Sequence, residues 1–132
     1  MLVLDASAAV RALVEDEAGP DDDALLLRAR DGITIVPGHW QAEVVQAVAR
    51  GVRLGRWSVG DARDLLVRVG DLDVTTIVDP AFASELLAAA LETGLTAQDA
   101  AYLQLARDLD APLATADGAL RAAAERVGVA CI

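Results

Sequence analysis

Apolar and polar positions along this chain fall into alternating short and long blocks. The opening "MLVLD" is a continuous apolar run stopped by an acid, the pattern of a short buried strand. "ITIV", "DVTTIV", "APLATA" and "VACI" give the same reading at residues 33–36, 73–78, 111–116 and 129–132. Between them run longer segments with apolar residues three and four apart, at 6–16, 22–32, 39–52, 58–72, 81–94, 96–110 and 117–128. These predict helices. Residues 15–23, "EDEAGPDDD", read as an acidic turn. Gly32 closes the second helix, Pro37 stops the second strand and Gly51 ends the third helix. Ser58 reads as an N-cap. Asp79-Pro80 reads as the start of a helix, with Asp79 as cap and Pro80 at the first helical position.

Strands alternating with helices imply an α/β layer structure with a mostly parallel sheet. Such sheets carry their sites outside the carboxyl ends of the strands. "MLVLD" ends at Asp5 and "PLATAD" at Asp117, so both acids would face one rim.

Composition narrows the class. A chain of 132 residues, 55 % hydrophobic and 24 % charged, fits one folded domain with a real core. There is no internal repeat, low-complexity tract or linker. The first residues lack a basic region, and no run approaches the ~18 apolar residues of a membrane span, so neither a signal peptide nor membrane insertion is expected. A single cysteine, Cys131, excludes an internal disulfide and a cysteine zinc site, and a reducing cytoplasm is the expected setting. Cys131 itself reads as a small hydrophobe in a last strand. The net charge is −10, from 21 acids against 11 bases, every base an arginine. That sign is globally wrong for a nucleic-acid binder. A site that gathers carboxylates around a divalent cation is nevertheless locally acidic until the cation arrives.

Four carboxylates carry the chemical argument. Asp5 and Asp117 each precede a helix, and capping would explain either one alone. Asp99 lies three residues after Thr96, near a capping-box position. On a wheel of roughly 100° per residue it falls on the apolar face beside Tyr102, a costly place for an unmet charge. Glu43 sits at the edge of the apolar arc formed by Trp40, Val44, Ala47 and Val48. Taken together, four crowded carboxylates make six repulsive pairs, each costing ~3 kcal/mol at ~5 Å with an effective dielectric of ~20. A divalent cation reverses that sign. All-oxygen ligation suits Mg²⁺ or Mn²⁺, and such an ion supports phosphoester hydrolysis.

The strings "VLDASA", "VPGHWQAEVVQAV", "LTAQDAAYLQLA" and "PLATADGAL", in this order and spacing, resemble the PIN-domain ribonucleases, and among them the VapC-type toxins of bacterial toxin–antitoxin pairs. The resemblance spans the whole chain, residues 1–132 as a single PIN domain. It implies an α/β/α sandwich around a mostly parallel sheet of about five strands. It also implies a Mg²⁺- or Mn²⁺-dependent endoribonuclease of the cytoplasm, acting on RNA, forming a homodimer and bound by a cognate antitoxin. Asp5, Glu43, Asp99 and Asp117 match the acidic quartet. Asp5, Asp99 and Asp117 are expected as metal ligands, and Glu43 as a ligand or as the group that orients attacking water. Ser7 and Thr115 match supporting hydroxyl positions. Where the family often has asparagine one turn after the glutamate, this chain has Gln46. Arg50, Arg53 and Arg56 could meet RNA phosphates, while Trp40 and Trp57 read as core residues rather than base-stacking platforms. His39, the single histidine, reads as a surface or capping residue and not as a general base.

Three other readings compete. An aspartyl-phosphate enzyme on an α/β sheet would need a lysine, which the chain lacks, and "DASA" has no second aspartate of a D-x-D motif. A non-catalytic PIN-like interaction module would be expected to have lost one or more of the acids. A PIN nuclease of RNA processing without an antitoxin would look the same in sequence.

Overall fold

The computed structural model describes residues 1–14, 18–79 and 81–132. Its elements are β1 (Leu2–Leu4), α1 (Ala6–Leu13), α2 (Pro20–Asp31), β2 (Thr34–Pro37), α3 (Trp40–Arg53), α4 (Val59–Gly70), β3 (Val74–Ile77), α5 (Ala83–Thr93), α6 (Ala97–Asp108), β4 (Leu113–Ala114) and α7 (Gly118–Arg126). The four strands form one parallel sheet in the order β3-β2-β1-β4. Val3 pairs with Ile35 on one side and with Leu113 on the other.

This order explains where a site must sit. The chain steps outward from β1 to β2 to β3 through α1–α4, then crosses back to the far side of β1 through α5 and α6. Right-handed crossovers therefore put α1–α4 on one face and α5–α6 on the other. Both faces of the central strand are covered, so Leu2, Val3 and Leu4 are all buried. Between β1 and β4 the direction of winding reverses, and a crevice opens at their carboxyl ends. Asp5 follows β1 and Asp117 follows β4, directly at that switch point.

The core is aliphatic and alanine-rich, centred on Leu2, Leu4, Val36, Val44, Leu103, Leu113 and Leu120. Trp40 is buried, as its sequence position suggested. Trp57 docks edge-first onto the end of α3, donating its indole N–H to the Val48 carbonyl at 2.9 Å. Gly51 makes this approach possible, because a Cβ there would lie 2.0 Å from Trp57 Cζ2.

Several expectations shift. Among the described residues the sheet has four strands rather than about five, because residues 129–132 contribute only an isolated parallel bridge between Cys131 and Leu113. β4 is two residues long, since Thr115 and Ala116 leave the ladder to serve the rim described below. Residues 20–23 belong to α2 rather than to a turn: Gly19 is the N-cap, and its N–H is held by the Asp22 carboxylate at 2.8 Å. Residues 15–17 of that expected turn, and Pro80, lie outside the described residues. Asp79 does not cap α5, which begins at Ala83 with Phe82 as N-cap and Glu85 accepting the Phe82 N–H at 3.1 Å. Ser58 caps α4 as expected, accepting the Asp61 N–H at 3.0 Å.

Gly51→Ala should destabilise the protein by about 1–3 kcal/mol through overpacking against Trp57. Urea unfolding monitored by tryptophan fluorescence would register this as a lower midpoint.

Candidate active site

Each of the four acids stands at the N-terminal end of a helix. Asp5 occupies the N-cap position of α1, Glu43 the first turn of α3, Asp99 the first turn of α6, and Asp117 the N-cap position of α7. Partial positive charge at those helix ends favours anions by about 0.3–1 kcal/mol each. The fold thus gathers four favourable helix termini around one rim.

Asp5 is buried, and its carboxylate makes no capping bond to α1. It turns instead toward the crevice. The Ser7 and Thr115 hydroxyls both donate to its Oδ2, Thr115 at 2.6 Å. Ser7 Oγ in turn accepts the Ala116 N–H at 3.1 Å, and Thr115 Oγ1 accepts the Asp117 N–H at 3.0 Å. This small network ties the end of β1 to the turn after β4 and fixes the plane of the Asp5 carboxylate. Asp117 does cap its helix, Oδ1 accepting the Leu120 N–H at 2.8 Å. Thr96 caps α6 by accepting the Asp99 N–H at 3.2 Å.

Two further residues reach the site, Tyr102 and His39. Tyr102, fully buried on α6, donates its phenol hydroxyl to Glu43 Oε2. Burial, and then that hydrogen bond, push the Tyr102 phenol well above its ordinary range, so it stays a donor. His39 packs edge-on to Tyr102 with ring centroids 5.3 Å apart and brings Nε2 to 3.7 Å from Glu43 Oε2. It occupies the N-cap position of α3, yet its side chain makes no capping bond. The signal for both was helical spacing: His39 lies four residues before Glu43, and Tyr102 three after Asp99.

The electrostatics couple the quartet through repulsion. Burial raises the carboxyl pKa of Glu43; Tyr102 and His39 oppose the shift, while the charges of Asp5 and Asp99 add to it. Burial likewise raises Asp99, opposed by Thr96 and His39 and reinforced by Asp117 and Asp5. These four carboxylates therefore feel one another, although they come from residues 5, 43, 99 and 117. Among the described residues no three of them are drawn together tightly enough to hold an ion as the side chains stand. Of the arginines read as RNA contacts, Arg50 and Arg56 line a cavity next to Ser7 and Ala116, and Arg53 does not.

The PIN domain family model matches residues 2–126. The chain belongs to the PIN-domain family. It is 35 % identical over 120 residues to Ribonuclease VapC12 of Mycobacterium tuberculosis, in strain CDC 1551 / Oshkosh and in strain H37Rv, covering 91 % of this chain and 89 % of the relative. Among solved structures, PAE2754 from Pyrobaculum aerophilum superposes with a TM-score of 0.75 at 26 % identity, over 98 % of this chain and 82 % of that one. FitAcB from Neisseria gonorrhoeae gives a TM-score of 0.65 at 18 % identity, over 100 % and 96 %. VapBC2 from Rickettsia felis, bound to a DNA fragment from their promoter, gives 0.65 at 17 % identity, over 99 % and 96 %. The last two likenesses speak for the fold. In this PIN domain the oxygen-only donor set and its mutual repulsion suit a hard divalent cation. Mg²⁺ is commonly held through one or two carboxylates and several waters, which a rim of separated acids can provide.

A carboxyl whose pKa is raised by folding weakens the fold once it ionises. Asp99→Asn should therefore raise the thermal midpoint of the protein in EDTA at neutral pH. A lowered midpoint in calorimetry would contradict the repulsion described above.

Proposed function

We propose that this PIN domain is a metal-dependent endoribonuclease, a VapC-type toxin that hydrolyses RNA phosphodiester bonds. The observation that carries this reading is that Asp5, Glu43, Asp99 and Asp117 stand at the N-terminal ends of four helices, with Asp5 hydrogen-bonded to Ser7 and Thr115 and Glu43 to Tyr102. The 35 % identity to a ribonuclease over most of the chain supports it.

Asp5, Asp99 and Asp117 would hold Mg²⁺ or Mn²⁺. The ion, when bound, supplies charge stabilisation at phosphorus and a more acidic water. The chain's own residues supply positioning. Ser7 and Thr115 hold the Asp5 carboxylate in one orientation. Tyr102 holds Glu43 by one oxygen, which steadies the carboxylate that would orient the attacking water or join the ligands. Fixed groups of this kind need no reorganisation as charge develops, which is the basis of their catalytic worth. A homodimer and a cognate antitoxin follow from the family resemblance and belong to the same proposal. No helix among the described residues is long and apolar enough to cross a membrane.

Purified protein, freed of any partner, should cut total RNA at discrete sites with Mg²⁺ or Mn²⁺ and not in EDTA. Asp5→Asn and Asp99→Asn should each lower the rate at least ~100-fold, the scale of losing one preorganised transition-state contact. Sequenced cleavage ends would identify the target. Equal cutting by wild type and both variants would sink the catalytic reading.

Thr115→Val removes a donor from a buried carboxylate. It should cost about 1–3 kcal/mol in unfolding free energy, and it should slow cleavage while leaving some activity. A variant as stable and as fast as wild type would remove Thr115 from the site.

A further inference from the structure

We propose that His39 is a positioning residue for Glu43, its Nε2–H aimed at the same carboxylate oxygen that Tyr102 holds. This rests on the ribonuclease reading and deepens it, by adding a second group that fixes the carboxylate at the rim. The chain has one histidine and one tyrosine, and both stand against Glu43. The Tyr102 hydroxyl donates to Oε2, and His39 Nε2 lies 3.7 Å from that same atom. Among the described residues no hydrogen bond reaches Oε1, so holding Oε2 leaves the other oxygen for an ion or a water.

The backbone explains why this ring is here. Gly38 lets the chain pass close to the Val78 carbonyl, since a Cβ on it would lie 3.0 Å from that oxygen. His39 follows in helical conformation, with φ −86° and ψ −5°. A capping side chain works from extended backbone, so His39 makes no capping bond and its ring is free for another role. Its carbonyl accepts the Glu43 N–H at 3.2 Å, and residues four apart share one helix face. The ring meets Tyr102 edge-on, with centroids 5.3 Å apart and planes at 76°. The two donors therefore brace each other as well as Glu43.

The deciding observation is an unpartnered nitrogen. About a third of the His39 side chain is exposed (30 %), yet Nε2 is buried and makes no hydrogen bond. The ring is turned with its polar end inward. Burying a nitrogen without a partner is costly. Its charged neighbour is Glu43, and 3.7 Å is about 0.5 Å beyond hydrogen-bond range. A neutral imidazole carries one proton, on Nδ1 or on Nε2. A lone pair on Nε2 would face the carboxylate and repel it, whereas an N–H attracts it. The site therefore selects the Nε2–H tautomer, and a small closure completes a second hydrogen bond to Oε2. His39 also lies within charge range of Asp99, so its influence reaches two of the rim's acids.

The test begins with metal-free wild type, its histidine labelled with ¹⁵N, at about pH 9, well above the ordinary histidine range. Every imidazole signal then belongs to His39. The Nε2–H form should dominate, and the other tautomer should gain population in Glu43→Ala. A dominant Nδ1–H form in wild type, or a ratio unchanged in Glu43→Ala, would overturn the proposal. Two substitutions then separate a donor from a spacer. His39→Phe keeps a ring against Tyr102 and loses the nitrogen. His39→Gln loses the ring and keeps an amide N–H near the place of Nε2. With Mg²⁺, His39→Phe should lower kcat for RNA cleavage about tenfold with KM little changed, the low end for groups that orient a site carboxylate. His39→Gln should recover most of that loss, with thermal midpoints confirming that each variant is folded. His39→Phe as fast as wild type, or His39→Gln no faster than His39→Phe, would reduce His39 to packing and overturn the positioning role. Wild type that cuts no RNA but shows the Glu43-dependent Nε2–H form refutes the nuclease alone. Wild type that cuts RNA with His39 in the Nδ1–H form refutes the positioning role alone.

Discussion

The constraint on which the rest of the structure depends is the placing of four carboxylates around one rim, two after parallel strands and two in the first turns of helices. Left alone, that arrangement would push the elements apart. The fold answers with four helix N-termini, each presenting its positive end to one acid. It answers again with hydroxyls: Ser7 and Thr115 on Asp5, Tyr102 on Glu43, Thr96 beside Asp99. The compensation is incomplete. Burial and residual repulsion still raise the pKa values of Glu43 and Asp99. The rim is left short of positive charge.

The same constraint shapes elements that look irregular in isolation. β4 stops after two residues because the Thr115 hydroxyl and the Ala116 and Asp117 N–H groups are used by the rim. Asp5 gives up the capping role that its position offers, and α1 begins without a side-chain cap. Tyr102 is buried deep on α6, where a phenylalanine would satisfy packing, because its hydroxyl must meet Glu43. Local rules are broken where function needs them broken, and stability is recovered elsewhere in the apolar core.

Most of the layer structure was legible from periodicity, because each helix and strand buries one repeating set of apolar positions. The boundaries that moved are those set by tertiary contacts. Nothing in "APLATA" says that Thr115 leaves the ladder for Asp5, and nothing in "VACI" says that only one residue will pair. Asp79-Pro80 looked like a helix start, yet Phe82 and Glu85 set the start three residues later. The acids were legible only jointly, since each alone could be a cap, and Asp117 is one in fact. His39 takes the N-cap position that its place in the sequence suggests, while its contact with Tyr102, 63 residues away, is set by tertiary packing.

The central claim is that these four acids act as one cation-holding set. Titration of metal-free protein with Mn²⁺, followed by electron paramagnetic resonance of the free ion, measures that directly. The account predicts saturable binding in wild type, weakened in each of Asp5→Asn, Glu43→Gln, Asp99→Asn and Asp117→Asn. Undiminished binding in all four variants, or none in folded wild type, would contradict it.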